Sequence, residues 1–226
     1  MELVIDRHFR GPATSANGGY TSGVLASLLH GPAEVTLRLP PPLDRPLEVN
    51  WHEERRSVDL RDGDALVAEA TAADVELEVP DPIPFEEAAA AELPEGDMES
   101  AFPECFVCGW ARDDGLGIYA GPVAGRDLVA ATWTPRAEHV APEFVWAALD
   151  CPGAYAVERG ERGMPVLGRF AARVEHLPLP GEQCVVVGWP LGEDGRKLYA
   201  GTALYGEDGR VLGAARATWI APRDSS

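Results

Sequence analysis

Apolar positions along this chain change period twice, and the change repeats. Val24, Leu25, Leu28 and Leu29 fall at helical spacing and predict a helix over Tyr20 to Leu29, opened by Asn17-Gly18-Gly19. His30-Gly31-Pro32 stops it, because glycine and proline end helices. A period of two with β-branched residues follows. It predicts strands at Val35 to Leu39, Leu47 to Trp51, Ser57 to Leu60 and Ala65 to Val79, with Asp62-Gly63 as a hairpin turn.

The second run starts with a strand over Leu128 to Trp133 and a helix from Pro142 through Asp150, with proline suited to the first helical position. Strands are predicted at Phe170 to His176, Gln183 to Trp189, Lys197 to Tyr205 and Val211 to Ile220, with turns at Glu193-Asp194-Gly195 and Glu207-Asp208-Gly209. The last hairpins of the two runs correspond: Asp62-Gly63 with Leu66 and Ala68 matches Asp208-Gly209 with Leu212 and Ala214. The proline bends at Leu39-Pro40-Pro41-Pro42 and Leu177-Pro178-Leu179-Pro180 correspond as well. Between the runs, Pro82 to Met98 is rich in Ala, Glu and Pro and reads as a linker carrying one short helix over Phe85 to Glu92. The expected organisation is therefore an α+β unit over 1–80, a linker over 81–100 and a second unit over 101–226.

Composition narrows what such a chain can do. Its 226 residues are 46% hydrophobic and 25% charged, enough apolar material for a sizeable core. The formal net charge of −18 repels polyanions and excludes a phosphate-neutralising surface, so nucleic acid is not an expected partner. No basic leader followed by an apolar run opens the sequence, and no apolar stretch reaches the roughly 18 residues of a membrane span. A cytoplasmic protein with no membrane insertion is expected. In that reducing setting the four cysteines are thiols or metal ligands rather than a disulfide framework.

Gly168 to Glu182, then Arg196 to Tyr205, then Glu207 to Thr218 resemble the strand half of the hotdog thioesterase superfamily: an apolar strand, a proline-glycine bend, a long strand pair and a closing DGR hairpin. Asn17-Gly18-Gly19 and the helix after it resemble the family more loosely. The resemblance implies two tandem hotdog units, each a central helix wrapped by an antiparallel sheet, paired as an intramolecular pseudo-dimer. It also implies an acyl-CoA thioesterase-like activity that needs no cofactor. One unit alone would leave a sheet edge and part of its helix exposed, which a second copy covers; dimers of whole chains remain compatible with this plan.

In the family a glycine pair opens the central helix, where a free N–H and the positive helix end stabilise an oxyanion, and a carboxylate stands on the partner unit's helix. Here the two halves of that device are split. Gly18-Gly19 has no acid two turns on, whereas Asp150 has the carboxylate position but no glycine pair before it. The resemblance thus implies one site shared between the units. Gly18, Gly19 or the Tyr20 amide would bind the oxyanion beside Asn17, and Asp150 would attack the acyl carbon or activate water. Against this stand plain structural readings: Asn17 as an ordinary N-cap, and Asp150-Cys151-Pro152-Gly153 as a turn that ends a helix. A non-catalytic acyl-thioester or hydrophobic-ligand binder is the competing function.

Three other features are weaker. Cys105-Phe106-Val107-Cys108-Gly109 has the spacing of half a zinc site but no second CxxC follows, so a buried pair or a knuckle-like turn competes, and no metal is assigned. Arg112 is a candidate contact for a CoA phosphate. Trp51, Trp133, Trp146, Trp189 and Trp219 are expected in the core. The G-x-S-x-G, P-loop and H-E-x-x-H motifs are absent, and no histidine stands in a hydratase context.

Overall fold

A computed structural model describes residues 1–94, 102–157 and 164–222. In chain order these form β1 (Glu2–Leu3), α1 (Gly18–Ser27), β2 (Ala33–Leu37), β3 (Leu47–His52), β4 (Ser57–Asp62), β5 (Ala65–Ala72), α2 (Phe85–Ala91), β6 (Gly121–Pro122), β7 (Val129–Trp133), α3 (Pro142–Ala148), α4 (Cys151–Val157), β8 (Val166–Val174), β9 (Cys184–Asp194), β10 (Lys197–Tyr205) and β11 (Val211–Ile220). All the strands join one antiparallel sheet in the order β1-β3-β4-β5-β2-β8-β11-β10-β9-β7-β6. Every strand on one side of the β2–β8 seam comes from residues 2–72, and every strand on the other side comes from 121–220. The seam itself pairs Ala33 with Ala172 and Val35 with Phe170.

Helices α1, α3 and α4 lie across one face of this sheet. Helix α1 carries no charged residue and α3 only Glu143, and both bury most of their residues, as a helix enclosed by its own sheet and a partner helix must. They meet through glycine: a Cβ on Gly19 would stand 2.5 Å from the Asp150 Cβ, and one on Gly23 would stand 2.6 Å from the Glu143 Cα. Leu25, Val35, Leu60, Trp146, Leu149 and Phe170 fill the space between helices and sheet. The opposite face of the second half is covered too, by α2 and by the chain leading into it. Leu77, Val79 and Ile83 pack there against Val187, Ala203 and Ala214. Burial on both faces explains the unbroken apolar run Val185-Val186-Val187, where a half-exposed strand would alternate.

Several expectations need correction. The predicted strand over Ala65 to Val79 ends at Ala72. Beyond it the chain crosses to the second half of the sheet, where Arg173 Nη1 donates to the Val75 carbonyl and the Tyr205 hydroxyl donates to that of Pro80. Alternation of Val75, Leu77 and Val79 reports one apolar face, and that face is used for packing rather than for a ladder. The predicted linker is fastened down as well, since Glu92 accepts from the Thr132 backbone N–H and hydroxyl; its residues 95–100 lie outside the described ones. Trp51, expected in the core, is 50% exposed, while Trp133, Trp146 and Trp219 are buried and Trp189 is partly so. The helix predicted to stop at Asp150 restarts one residue later as α4. Pro152 sits in the first turn of α4, where its missing N–H has no helical partner to lose.

Candidate active site

The α3–α4 break and the start of α1 meet at one point. Asn17 is the N-cap of α1: its Oδ1 accepts the Tyr20 N–H at 2.8 Å, and its carbonyl accepts the Thr21 hydroxyl at 2.9 Å. That leaves the Asn17 amide nitrogen to donate to Asp150 Oδ2 at 2.8 Å, while the Gly19 N–H donates to the same oxygen at 2.9 Å. One carboxylate oxygen is thus fixed by two donors from α1. The other, Oδ1, is buried and accepts from no group among the described residues. Asp150 is 3% exposed. Its pKa is pushed up to about 7, foremost because burial disfavours the charged form; the Gly19 and Asn17 hydrogen bonds pull the other way.

Asp150 stands in the wall of a cavity of about 350 Å³, within the usual size range of small-molecule sites. Asn17 and Gly18 share that wall, and the rest is largely apolar, with Leu37, Phe102, Ala154, Val166, Leu167 and Ile220 among its members. Of the three amides expected to face an oxyanion, Gly19 is committed to Asp150 and Tyr20 to Asn17. The N–H of Gly18, at the first helical position and in the cavity wall, donates to no group among the described residues. Tyr20 does not line the cavity. Its ring stacks on Phe9 at 3.9 Å, and burial, with the nearby Glu143 and Asp6 charges, pushes its hydroxyl up to about 12.

Arg112 is also placed away from the cavity. Its guanidinium is spent on the protein: Nε on Asp114 at 2.6 Å, Nη1 on the carbonyls of His8 and Glu104 at 2.8 and 3.2 Å, and the whole group 5.5 Å from the Phe106 ring. Its hydrogen bond, and then its charge, hold the Asp114 carboxyl below the usual range. Arg112→Ala is expected to cost about 2 kcal/mol of stability, from lost charge-assisted bonds to the N-terminal segment. Denaturant unfolding checks this. A phosphate-binding role would show instead as a raised KM for acyl-CoA at unchanged stability.

Three cavity residues escaped sequence reasoning as a group. The thiols of Cys105, Cys108 and Cys151 line the cavity together, and Asn17 Nδ2 lies 3.8 Å from Cys105 Sγ as well as bonding Asp150. Hydrogen bonds from the other two thiols hold Cys105 well below the ordinary thiol range. Trp219 was expected to be plain core, yet it lines the cavity, and its buried indole N–H has no acceptor among the described residues. The signal that could have found Trp219 is its place opposite Leu198 in the last strand pair, but no motif marks it.

No protein-family model matches this chain, and no curated protein does. Solved structures do. The chain is similar over 98% of its length to a candidate thioesterase II from Thermobifida fusca YX (13% identity, 92% of that chain, TM-score 0.67). It is similar over 99% of its length to a protein of unknown function with a hot dog fold from Alicyclobacillus acidocaldarius (11% identity, 93% of that chain, TM-score 0.66). A candidate thioesterase from Novosphingobium aromaticivorans DSM 12444 is similar over 98% of this chain and 95% of its own at 12% identity, with a TM-score of 0.66. Such likeness at low identity establishes the fold: the chain has the hotdog fold found across the thioesterase superfamily.

Proposed function

We propose that this hotdog-fold chain is an acyl-thioester hydrolase, acting on acyl-CoA or a related thioester at one site shared between two tandem hotdog units. Support for the pairing comes from the strand order: β3-β4-β5-β2 on one side of the seam mirrors β9-β10-β11-β8 on the other, each set preceded by its helix. On this reading the units are 1–80 and 101–226 joined by 81–100, and their pairing is an intramolecular pseudo-dimer.

One observation carries the chemistry. Asp150 has one oxygen fixed by Gly19 and Asn17 of the other unit and one oxygen without a partner among the described residues, in the wall of a largely apolar cavity. A carboxylate kept only for structure would use both oxygens, because a buried acceptor left unpaired costs about 1–3 kcal/mol. In the proposed reaction the free oxygen takes a proton from water as that water attacks the acyl carbon, or attacks that carbon itself to give an anhydride that water then opens; in either case the C–S bond breaks and the thiolate leaves, taking up a proton to become free thiol. The Gly18 N–H, at the positive end of α1, donates to the developing oxyanion, and the apolar wall receives the acyl chain. Gly19 and Asn17 position the acid.

The competing reading, a binder without catalysis, makes a different prediction for the same cavity. Wild-type protein is expected to release free thiol from a panel of acyl-CoAs with multiple turnovers. Binding of these thioesters without any turnover, across the panel and across pH 6 to 9, would establish the binder instead.

A further inference from the structure

The cysteine cluster is not used by the proposed hydrolysis. The three sulfurs of Cys105, Cys108 and Cys151 lie within 4.8 Å of one another, and Cys105 Sγ is 3.8 Å from Cys151 Sγ. A disulfide needs about 2.05 Å, so these are separate thiols. Three zinc–sulfur bonds of about 2.3 Å at tetrahedral angles would hold their sulfurs roughly 3.8 Å apart, which is the separation of Cys105 and Cys151, and the pairs with Cys108 lie within 4.8 Å.

The surroundings are those of a thiolate site rather than of small hydrophobic fillers. After Cys108 the chain folds back so tightly that a Cβ on Gly109 would stand 2.4 Å from the Cys105 carbonyl oxygen and 2.5 Å from its nitrogen. That turn aims the backbone N–H groups of Val107 and Cys108 at the Cys105 sulfur. The Asn17 amide adds a third donor to the same sulfur, and the Tyr155 hydroxyl hydrogen-bonds the Cys108 sulfur. Metal-bound thiolates take outer donors of this kind, which spread the negative charge left on sulfur. The third thiol comes from a different element, at the start of α4, and closes a set that the CxxC alone leaves at two.

We propose that Cys105, Cys108 and Cys151 hold one zinc ion in the cavity wall, with its fourth coordination position open to the cavity. Three protein ligands and one open position are the coordination of a zinc that meets a ligand, whereas a closed structural site has four protein ligands. Cys184 lies outside the set, at the start of β9 and away from the cavity.

The test needs no substrate. Full-length protein in a non-thiol reductant is stripped with a chelator and titrated with Co²⁺, then with Zn²⁺. One Co²⁺ per chain should bind with thiolate-to-cobalt charge-transfer absorption and the visible bands of tetrahedral cobalt, and one equivalent of Zn²⁺ should displace it. Cys108→Ser and Cys151→Ser should each weaken binding by at least about a hundredfold, the upper end of what outer partners alone contribute. Cys184→Ser should bind as wild type does. No charge-transfer band in the wild-type protein overturns the proposal even if the serine variants fail to fold. So does a Cys151→Ser protein of unchanged affinity, which would leave the CxxC pair acting alone. Because the readout is spectroscopic, the result stands whichever way the hydrolysis assay falls.

Discussion

Asp150→Asn is expected to reduce kcat for acyl-CoA hydrolysis by roughly 10² to 10⁴, the contribution of a general base or attacking carboxylate. The substitution keeps an oxygen for the Gly19 and Asn17 donors, so the contact between α1 and the α3–α4 break survives and only the free oxygen is replaced by an amide. The same protein is expected to be more stable than wild type at pH 8. Asp150 is raised to about 7 in the folded chain against an ordinary value of 3.8, so folding favours its protonated form. The stability this lends is complete below about pH 4 and is lost as pH rises toward 7, by an amount on the order of 4 kcal/mol. A neutral asparagine does not pay that penalty. Thermal unfolding of both proteins at pH 4 and pH 8 reads the difference: the variant should unfold several degrees higher at pH 8, and the gap should shrink at pH 4. Unchanged turnover in the variant would remove Asp150 from the chemistry and leave the cavity as a binding site.

What could be read from the sequence depended on how local the signal was. Lys197 to Tyr205 and Val211 to Ile220 are found at their predicted bounds because turn residues punctuate both ends of the hairpin. The two-residue strands β1 and β6 carry no pattern long enough to see, and their pairing to β3 and β7 is wholly tertiary. Pro152 misled for a related reason. A proline ends a helix or starts one, and which it does depends on whether the chain has already broken at Leu149–Asp150.

In the site, the juxtaposition of Asn17-Gly18-Gly19 with Asp150 was legible through the family resemblance. The division of labour among those residues was not. Whether an amide meets substrate or meets the acid is settled by how closely two helices cross, and that is fixed by Gly19 and Gly23 against Trp146 and Glu143. Cys151 shows the limit most clearly. It lies 46 residues from Cys105, no spacing rule joins them, and only the folding of α4 beneath the CxxC turn brings the sulfurs together.

The closeness of that crossing makes Gly19→Ala the second large effect. Alanine would gain up to about 1 kcal/mol of helix propensity, but its methyl would stand 2.5 Å from the Asp150 Cβ, 2.8 Å from the Trp146 carbonyl and 3.0 Å from the Asp150 Cγ. None of these is the loose end of a side chain, so the helices must separate. The net cost expected is about 1–3 kcal/mol, the range for overpacking a well-filled core. Catalysis should suffer more than stability, since moving a reacting group by about 1 Å costs on the order of 10²-fold. Two neighbours separate the causes. Gly23→Ala wedges the same helix pair against Glu143 and Trp146, and should lose comparable stability with a smaller loss of kcat. Gly18→Ala keeps its N–H, and its methyl would meet the movable ends of Leu167 and Leu37 at 2.9 and 3.1 Å, so it should fold and lose less kcat than Gly19→Ala. Denaturant midpoints and kcat for the three variants check the ordering. Equal kcat in Gly19→Ala and Gly18→Ala would show that the position of Asp150 is not what the glycine protects.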